Sequence, residues 1–283
     1  MLLLRKLIDL VLYSNLFIAV CAASLTYQIL YIDQDFTWIS PYVYLVFFAT
    51  LFIYSFHRII GFGKLDRTAN NRRINLILKF QNHIVLYGLI GLVGLTISAF
   101  QITFNSFLWL AIPGILAIIY VLPIFGRKRR FRDLPFIKVF AIGLVWAWVC
   151  VFIPLLHHNH QLHLPHYLLI IEKLFFIIGI TLSFDIRDLK LDQSHQIKTI
   201  PVYIGVQRRK ILALFLLVLA WMLTYLNYQI NYLTLNEWIA LTLSYLFITV
   251  VVWRASENSH DYYFSGLVDG TILLQFILVM LFS

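Results

Sequence analysis

The chain has 283 residues, of which 61% are hydrophobic and only 12% charged, with a formal charge of +9 and a mean hydropathy of +0.85. Soluble domains are roughly one quarter charged, so a water-soluble core of this size is excluded and the solvent for most of the chain is lipid. Long apolar runs without two-residue alternation argue against a β-barrel, and the positive charge reads as membrane sorting rather than nucleic-acid binding.

Apolar stretches of about 20 residues, the length that crosses roughly 30 Å of hydrocarbon, recur along the sequence. They predict an all-α, polytopic membrane protein with about nine transmembrane helices, forming one integral-membrane domain over residues 1–283. The first stretch, 7–32, follows a basic start (Arg5, Lys6) that loosely mimics a signal peptide. Its apolar run is too long for one, so it reads as a retained span. The others lie near 39–61, 82–104, 106–125, 134–156, 165–185, 210–231, 236–253 and 263–283. Pro41, Pro135 and Pro165 stand near helix starts, where proline is tolerated. Cys21 and Cys150 fall within spans and imply neither a disulfide framework nor a zinc site.

With nine spans the connections alternate between two sides. Every lysine and arginine except Lys173 then falls on the side of the amino terminus. The opposite connections carry Asp33, Asp35, Glu237 and a histidine-rich turn, His157 to His166. The positive-inside rule makes the amino terminus and basic loops cytoplasmic and the carboxyl end external. The expected location is the cell (inner) membrane. The histidines suit a metal tract, but a polar loop is the simpler expectation.

The segment with most chemistry follows the sixth span. It reads Ser183-Phe184-Asp185-Ile186-Arg187-Asp188-Leu189-Lys190-Leu191-Asp192, then Lys198-Thr199-Ile200-Pro201 and Gly205. On a helix Asp188 and Asp192 share a face, and Asp185 lies on nearly the same side. Converging carboxylates repel one another unless cations sit among them. Mg²⁺ suits such a place, because it takes one or two carboxylates and completes its shell with water and phosphate. Lys190, Lys198, Arg208, Arg209 and Lys210 are near enough in sequence to hold a diphosphate. Composition alone favours a plainer reading, a solvated loop of mixed charge.

Asp185-x-x-Asp188-x-x-x-Asp192, with Lys198-Thr199-Ile200-Pro201 and Gly205 behind it, resembles the second aspartate-rich motif of the UbiA-type intramembrane prenyltransferases. Tyr120-Val121-Leu122-Pro123, followed by Arg127-Lys128-Arg129-Arg130, is similar to that family's tyrosine–proline and basic stretch after the fourth span. The resemblance implies a UbiA-like helical bundle. It further implies an enzyme that moves an isoprenoid chain from a prenyl diphosphate to a lipophilic acceptor within the membrane. On this reading Asp185, Asp188 and Asp192 are the catalytic and metal-binding residues for Mg²⁺. His57, Arg58, Arg72, Tyr120, Lys128, Arg129, Arg130, Lys198 and Asp269 are the candidate substrate-binding residues.

One departure from the family pattern matters. The family's first motif, an NDxxDxxxD near the end of the second span, supplies the other half of its metal site. The corresponding stretch here, Tyr54-Ser55-Phe56-His57-Arg58-Ile59-Ile60-Gly61, contains no aspartate. Two outcomes follow: His57 and Arg58 bind diphosphate directly and one metal suffices, or the metal-dependent reaction is lost. The second makes the chain a non-catalytic relative that binds an isoprenoid, a quinone-type lipid or a partner enzyme.

Charges inside spans are costly. Glu172 and Lys173 are sequence neighbours, about 100° apart on a helix, and are expected to seek different partners. Asp269, between Gly266 and Gly270, is expected to reach the cavity of Asp185, with Arg58 or His57 as partner. A transporter relay through Glu172, Lys173 and Asp269 is the third reading, though no internal repeat supports it.

Overall fold

The computed structural model describes residues 2–34, 37, 40–62, 72–121, 137–159, 161–194 and 205–282. The regular elements among them are all helical. They are α1 (Leu2–Tyr13), α2 (Leu16–Ile32), α3 (Pro41–Gly61), α4 (Arg72–Lys79), α5 (Gln81–Ala99) and α6 (Phe104–Val121). After these come α7 (Ile137–Ala147), α8 (Ile153–His158), α9 (Leu164–Ser194), α10 (Val206–Gln229), α11 (Leu235–Arg254) and α12 (Asp269–Phe282). Wider π-helical turns, Trp148–Phe152 and Tyr263–Val268, join α7 to α8 and lead into α12.

Among the described residues seven helices are long and apolar enough to cross a membrane, and the bent pair α1–α2 makes an eighth. A shorter apolar stretch, Phe104–Tyr120 in α6, occupies the fourth expected span. Leu89, Val93, Ile97, Phe215 and Leu246 are each more than half exposed. Such a surface has lipid as its solvent, and the protein is an integral membrane protein.

The helices close into a ring. α2 packs on the π turn that continues α7, α7 on α9, α9 on α10, α10 on α11, α11 on α12, and α12 returns to α2, with α3 packed on α2 from outside the circuit. α5 lies outside α3 along most of its length, whereas α6 touches α3 and α7 only sparsely. The close α3–α5 approach depends on small residues. A Cβ on Gly91 would come within 2.7 Å of the Phe52 backbone nitrogen, and one on Gly94 would enter the Phe48 ring. Tight contact of this kind is how helices associate where hydrophobicity gives no drive.

The first expected span is not one straight helix. It bends by 61° between α1 and α2, where Asn15 takes the left-handed conformation, φ 72°, which asparagine tolerates better than most residues. Arg58 donates to the carbonyl of Tyr13, and Asn15 Nδ2 donates to Ser55 Oγ at 3.2 Å. The backbone opened by the bend is thereby kept satisfied away from water. In the fifth span, the π turn immediately precedes Pro154. The wider turn accommodates a ring that would otherwise strike the carbonyl four residues back.

Glu172 and Lys173 do not seek separate partners. Lys173 Nζ stands 3.1 Å from the Glu172 carboxylate and donates to Gln275 Oε1 at 2.8 Å. Tyr245 donates to Glu172, and Gln28 and Ser244 complete the group through Gln275. The four-carbon lysine stem turns the ammonium back onto its neighbour. An ammonium alone in this surrounding is far costlier than the bent side chain. The network ties α2, α9, α11 and α12 together.

At the start of α9 a second polar group joins three connections. Asp33 accepts from Asn159 Nδ2 at 2.5 Å, from His166 Nε2 at 3.2 Å and from the Tyr232 hydroxyl at 2.7 Å. Burial and the Asp33 carboxylate both push the Tyr232 phenol well above its ordinary range. His157 pairs with Ser106 at 2.8 Å. The described histidines of this region tie loops together, and the described residues hold no cluster of three metal-ligating side chains.

Two stability tests follow. Gly91→Leu should force α5 off α3 and cost about 1–3 kcal/mol, read as a lower thermal midpoint in detergent or nanodiscs. Lys173→Met should destabilise more than the double variant Glu172→Gln/Lys173→Met, because the single change strands a buried carboxylate. A double variant no better than the single would refute the pairing.

Candidate functional site

Hydropathy ends the sixth span at 185, but α9 runs on through Ser194. The motif is therefore helical and not a loop. Along α9, at 1.5 Å per residue, Asp188 lies roughly 33 Å from His166, so the aspartates and the histidine-rich turn occupy opposite ends of the bundle.

Asp185 is 1% exposed and Arg209, from the first turn of α10, is fully buried. Arg209 Nη2 is 3.6 Å from Asp185 Oδ2. Lys138, in the first turn of α7, places Nζ 2.8 Å from Asp185 Oδ1, a contact whose angles make it an ion pair rather than a hydrogen bond. The same ammonium donates to Asp188 Oδ2 at 3.4 Å. Arg187 Nε donates to Asp188 Oδ1 at 2.9 Å, and its guanidinium lies over the rings of Phe184 (5.0 Å) and Phe264 (5.7 Å). α7, α9 and α10 thus bring three cations onto two carboxylates, with Phe264 from the second π turn as a wall.

A second group of residues extends this cluster. Asp269 lies in the fields of Arg187 and Arg58, and its backbone carbonyl accepts from Cys21 Sγ at 3.3 Å. His57 sits between Tyr54 and Tyr120, with ring centroids 6.3 and 5.9 Å away and planes within 24°. Tyr54 also interacts electrostatically with Asp269. The same tyrosine lines a half-open cavity of about 770 Å³ between α3, α5, α6, α7 and the π turn after α7, whose walls include Ile53, Phe107, Leu110, Trp146 and Val149. The apolar chamber therefore reaches, at Tyr54, the ring stack that holds His57, the residue before Arg58.

Of the expected site residues, the structure brings Asp185 and Asp188 together at one helix end. Asp269 is linked to them through Arg187 and to α3 through Arg58, while His57 and Tyr120 stack beside Tyr54. Asp192 lies on α9 and Arg72 opens α4, but their side chains are outside the described set; Lys128, Arg129, Arg130 and Lys198 are outside the described residues altogether. Lys138 was legible only as one of the loop cations. The available signal was its place inside the apolar run of the fifth span, where a lysine needs a partner.

A resident Mg²⁺ needs several oxygen ligands and no competing cation among them. The oxygens of Asp185 face Lys138 and Arg209, and those of Asp188 face Lys138 and Arg187. The stretch of α3 nearest the cluster offers His57 and Arg58 in place of acids. The described side chains do not fit a metal cluster as they stand. What they fit is an anion with several oxygens, met by fixed ammonium and guanidinium groups.

Comparison with known proteins gives this geometry a context. A search of curated proteins yields no match. Among solved structures, a UbiA homologue from Archaeoglobus fulgidus bound to DMAPP and Mg²⁺ is similar at 14% identity and a TM-score of 0.61. The similarity covers 95% of this chain and 99% of that one. The apo structure of a UbiA homologue from Aeropyrum pernix K1 is similar at 16% identity and a TM-score of 0.62, over 96% of this chain and 94% of that one. A digeranylgeranylglyceryl phosphate synthase is similar at 17% identity, with a TM-score of 0.59 and 96% of each chain covered. At these identities the likeness establishes the fold. The sequence pattern of the UbiA prenyltransferase family matches residues 66–267, most of the chain. The chain belongs to the UbiA prenyltransferase family.

Proposed function

We propose that this protein is a prenyltransferase that moves an isoprenoid chain from a prenyl diphosphate to a lipophilic acceptor inside the membrane. The observation that carries the reading is one bundle holding both an apolar chamber that reaches Tyr54 and the His57 stack, and a cluster of Lys138, Arg187 and Arg209 on Asp185 and Asp188. A prenyl diphosphate has the same two-part character, a hydrocarbon tail and a polyanionic head. Family membership supports the reaction class, as do the Archaeoglobus fulgidus homologue's structures with DMAPP and with GPP.

In this reading the tail occupies the chamber and the diphosphate faces Lys138, Arg187 and Arg58, with His57 and Tyr120 beside it. Breaking the allylic carbon–oxygen bond sends its electron pair to the diphosphate. The acceptor forms the new bond at that carbon and releases a proton. Fixed cations stabilise the growing charge on the leaving group without reorganising, while aromatic walls shelter the carbocation from water. Asp185 and Asp188 hold the cations in place, and Asp192 is the third acid of the motif. Mg²⁺ accompanies the substrates in the homologue; here Asp185 and Asp188 already carry lysine and arginine. Arg72, Lys128, Arg129, Arg130 and Lys198 are, in the same reading, further substrate-binding residues for the diphosphate.

The protein is read as a single membrane domain of the cell (inner) membrane, with its amino terminus and this site cytoplasmic and its carboxyl end outside, because the basic connections gather on the site's side. The lack of carboxylates on α3 favours one alternative, a non-catalytic member that binds an isoprenoid or quinone-type lipid or a partner enzyme.

The test is incubation of the protein in nanodiscs with radiolabelled geranyl diphosphate and extracted membrane lipids as acceptors. Turnover should appear, and Asp188→Asn should reduce it by about 100-fold or more while the protein still folds, as expected when a preorganised charge group is disrupted. Binding without conversion would select the non-catalytic reading.

A further inference from the structure

The ammonium of Lys138 bridges the two carboxylates of the motif, 2.8 Å from Asp185 and 3.4 Å from Asp188. A divalent ion shared by the same carboxylates would occupy the space between them, though at shorter range. Their remaining oxygens face Arg209 and Arg187. Among the described side chains, then, two anions meet three cations before any substrate arrives.

We propose that Lys138 is the built-in bridging cation of this site, and that the protein binds the diphosphate end of its substrate without a divalent metal. The inference rests on the prenyl-diphosphate reading above. Position within the fold supports it. Lys138 emerges from the first turn of α7, so its Cα is fixed by a helix, and only its tip must be held. Asp185, buried more than two turns before the end of α9, holds it there, and Arg209 balances the other oxygen of Asp185. The Lys138 side chain is 13% exposed and that of Asp185 1%, so the lysine, not the acid, is the member of this pair that a ligand can reach. Lys138 thus acts as a diphosphate-binding residue, and Asp185 positions it.

The experiment measures binding of geranyl thiodiphosphate, an analogue slow to ionise, to the full chain in nanodiscs, in EDTA and in Mg²⁺. Wild type should bind about equally well in both. Lys138→Met should lose roughly tenfold or more in EDTA, the size of one charge-assisted contact, and added Mg²⁺ should restore much of it by entering the vacated space between Asp185 and Asp188. Lys138→Arg, which keeps the charge, should still bind in EDTA. Lys138→Gln, with folding checked by thermal midpoint, replaces the methionine variant should that one not fold. Wild-type binding that EDTA abolishes would overturn the inference and leave the proposed function standing. So would a folded Lys138→Met that binds in EDTA as wild type does. A wild type that binds the analogue under neither condition would overturn both.

Discussion

A charge surrounded by hydrocarbon must find a counter-charge or cost several kcal/mol, and the arrangement of this protein follows from where those pairings are made. They occur at three depths. Asp33 draws together the connections at one end. Lys173 and Glu172 lock four helices in the middle. Asp185 gathers Lys138 and Arg209 at the other end. Between these levels the packing is apolar and, on α3 and α5, close enough to need glycine. Only at the third level do cations outnumber the acids they pair with among the described side chains.

That imbalance gives the family likeness a particular meaning. A site of the same fold can meet a polyanionic leaving group with mobile metal ions or with side chains rooted in helices. Here the acid-free stretch of α3 and the Lys138 bridge work in the same direction: the first removes carboxylates, the second fills the space between those that remain. His57, packed between two tyrosines, and Arg58, bound to the bend of the first span, are part of the architecture as well as neighbours of the site. The α3 sequence is therefore tied to the fold at the positions where it departs from the family pattern.

Much of this was legible in the residues, for physical reasons. Span positions follow from hydropathy and length. Asp185 and Asp188 were found by their spacing, because helical periodicity converts sequence distance into a shared face. The failures have equally definite causes. Hydropathy ended the sixth span at 185 because the next turns are polar, although Lys138 and Arg209 give those turns partners that sustain a helix. The bend at Ser14–Asn15 sits in an apolar run and depends on Arg58, over forty residues away. The Glu172–Lys173 pair escaped a helical-wheel argument because a wheel fixes Cβ directions and not the end of a long flexible stem. The chamber is a property of how α3, α5, α6 and α7 diverge, which no local pattern encodes.

The widened turn Tyr263–Val268 ends one residue before Asp269. A π turn accommodates an additional residue, so everything beyond it is rotated by about 100° relative to an unbroken α-helix. The azimuth of the Asp269 carboxylate is thus decided by a local change of winding upstream of it. In a uniformly wound segment the same aspartate would point elsewhere around the barrel of helices, away from the guanidinium groups whose fields it now shares. Shortening or lengthening this turn by a single residue would consequently re-aim Asp269 together with the rest of α12, including the Gln275 that Lys173 and Gln28 reach.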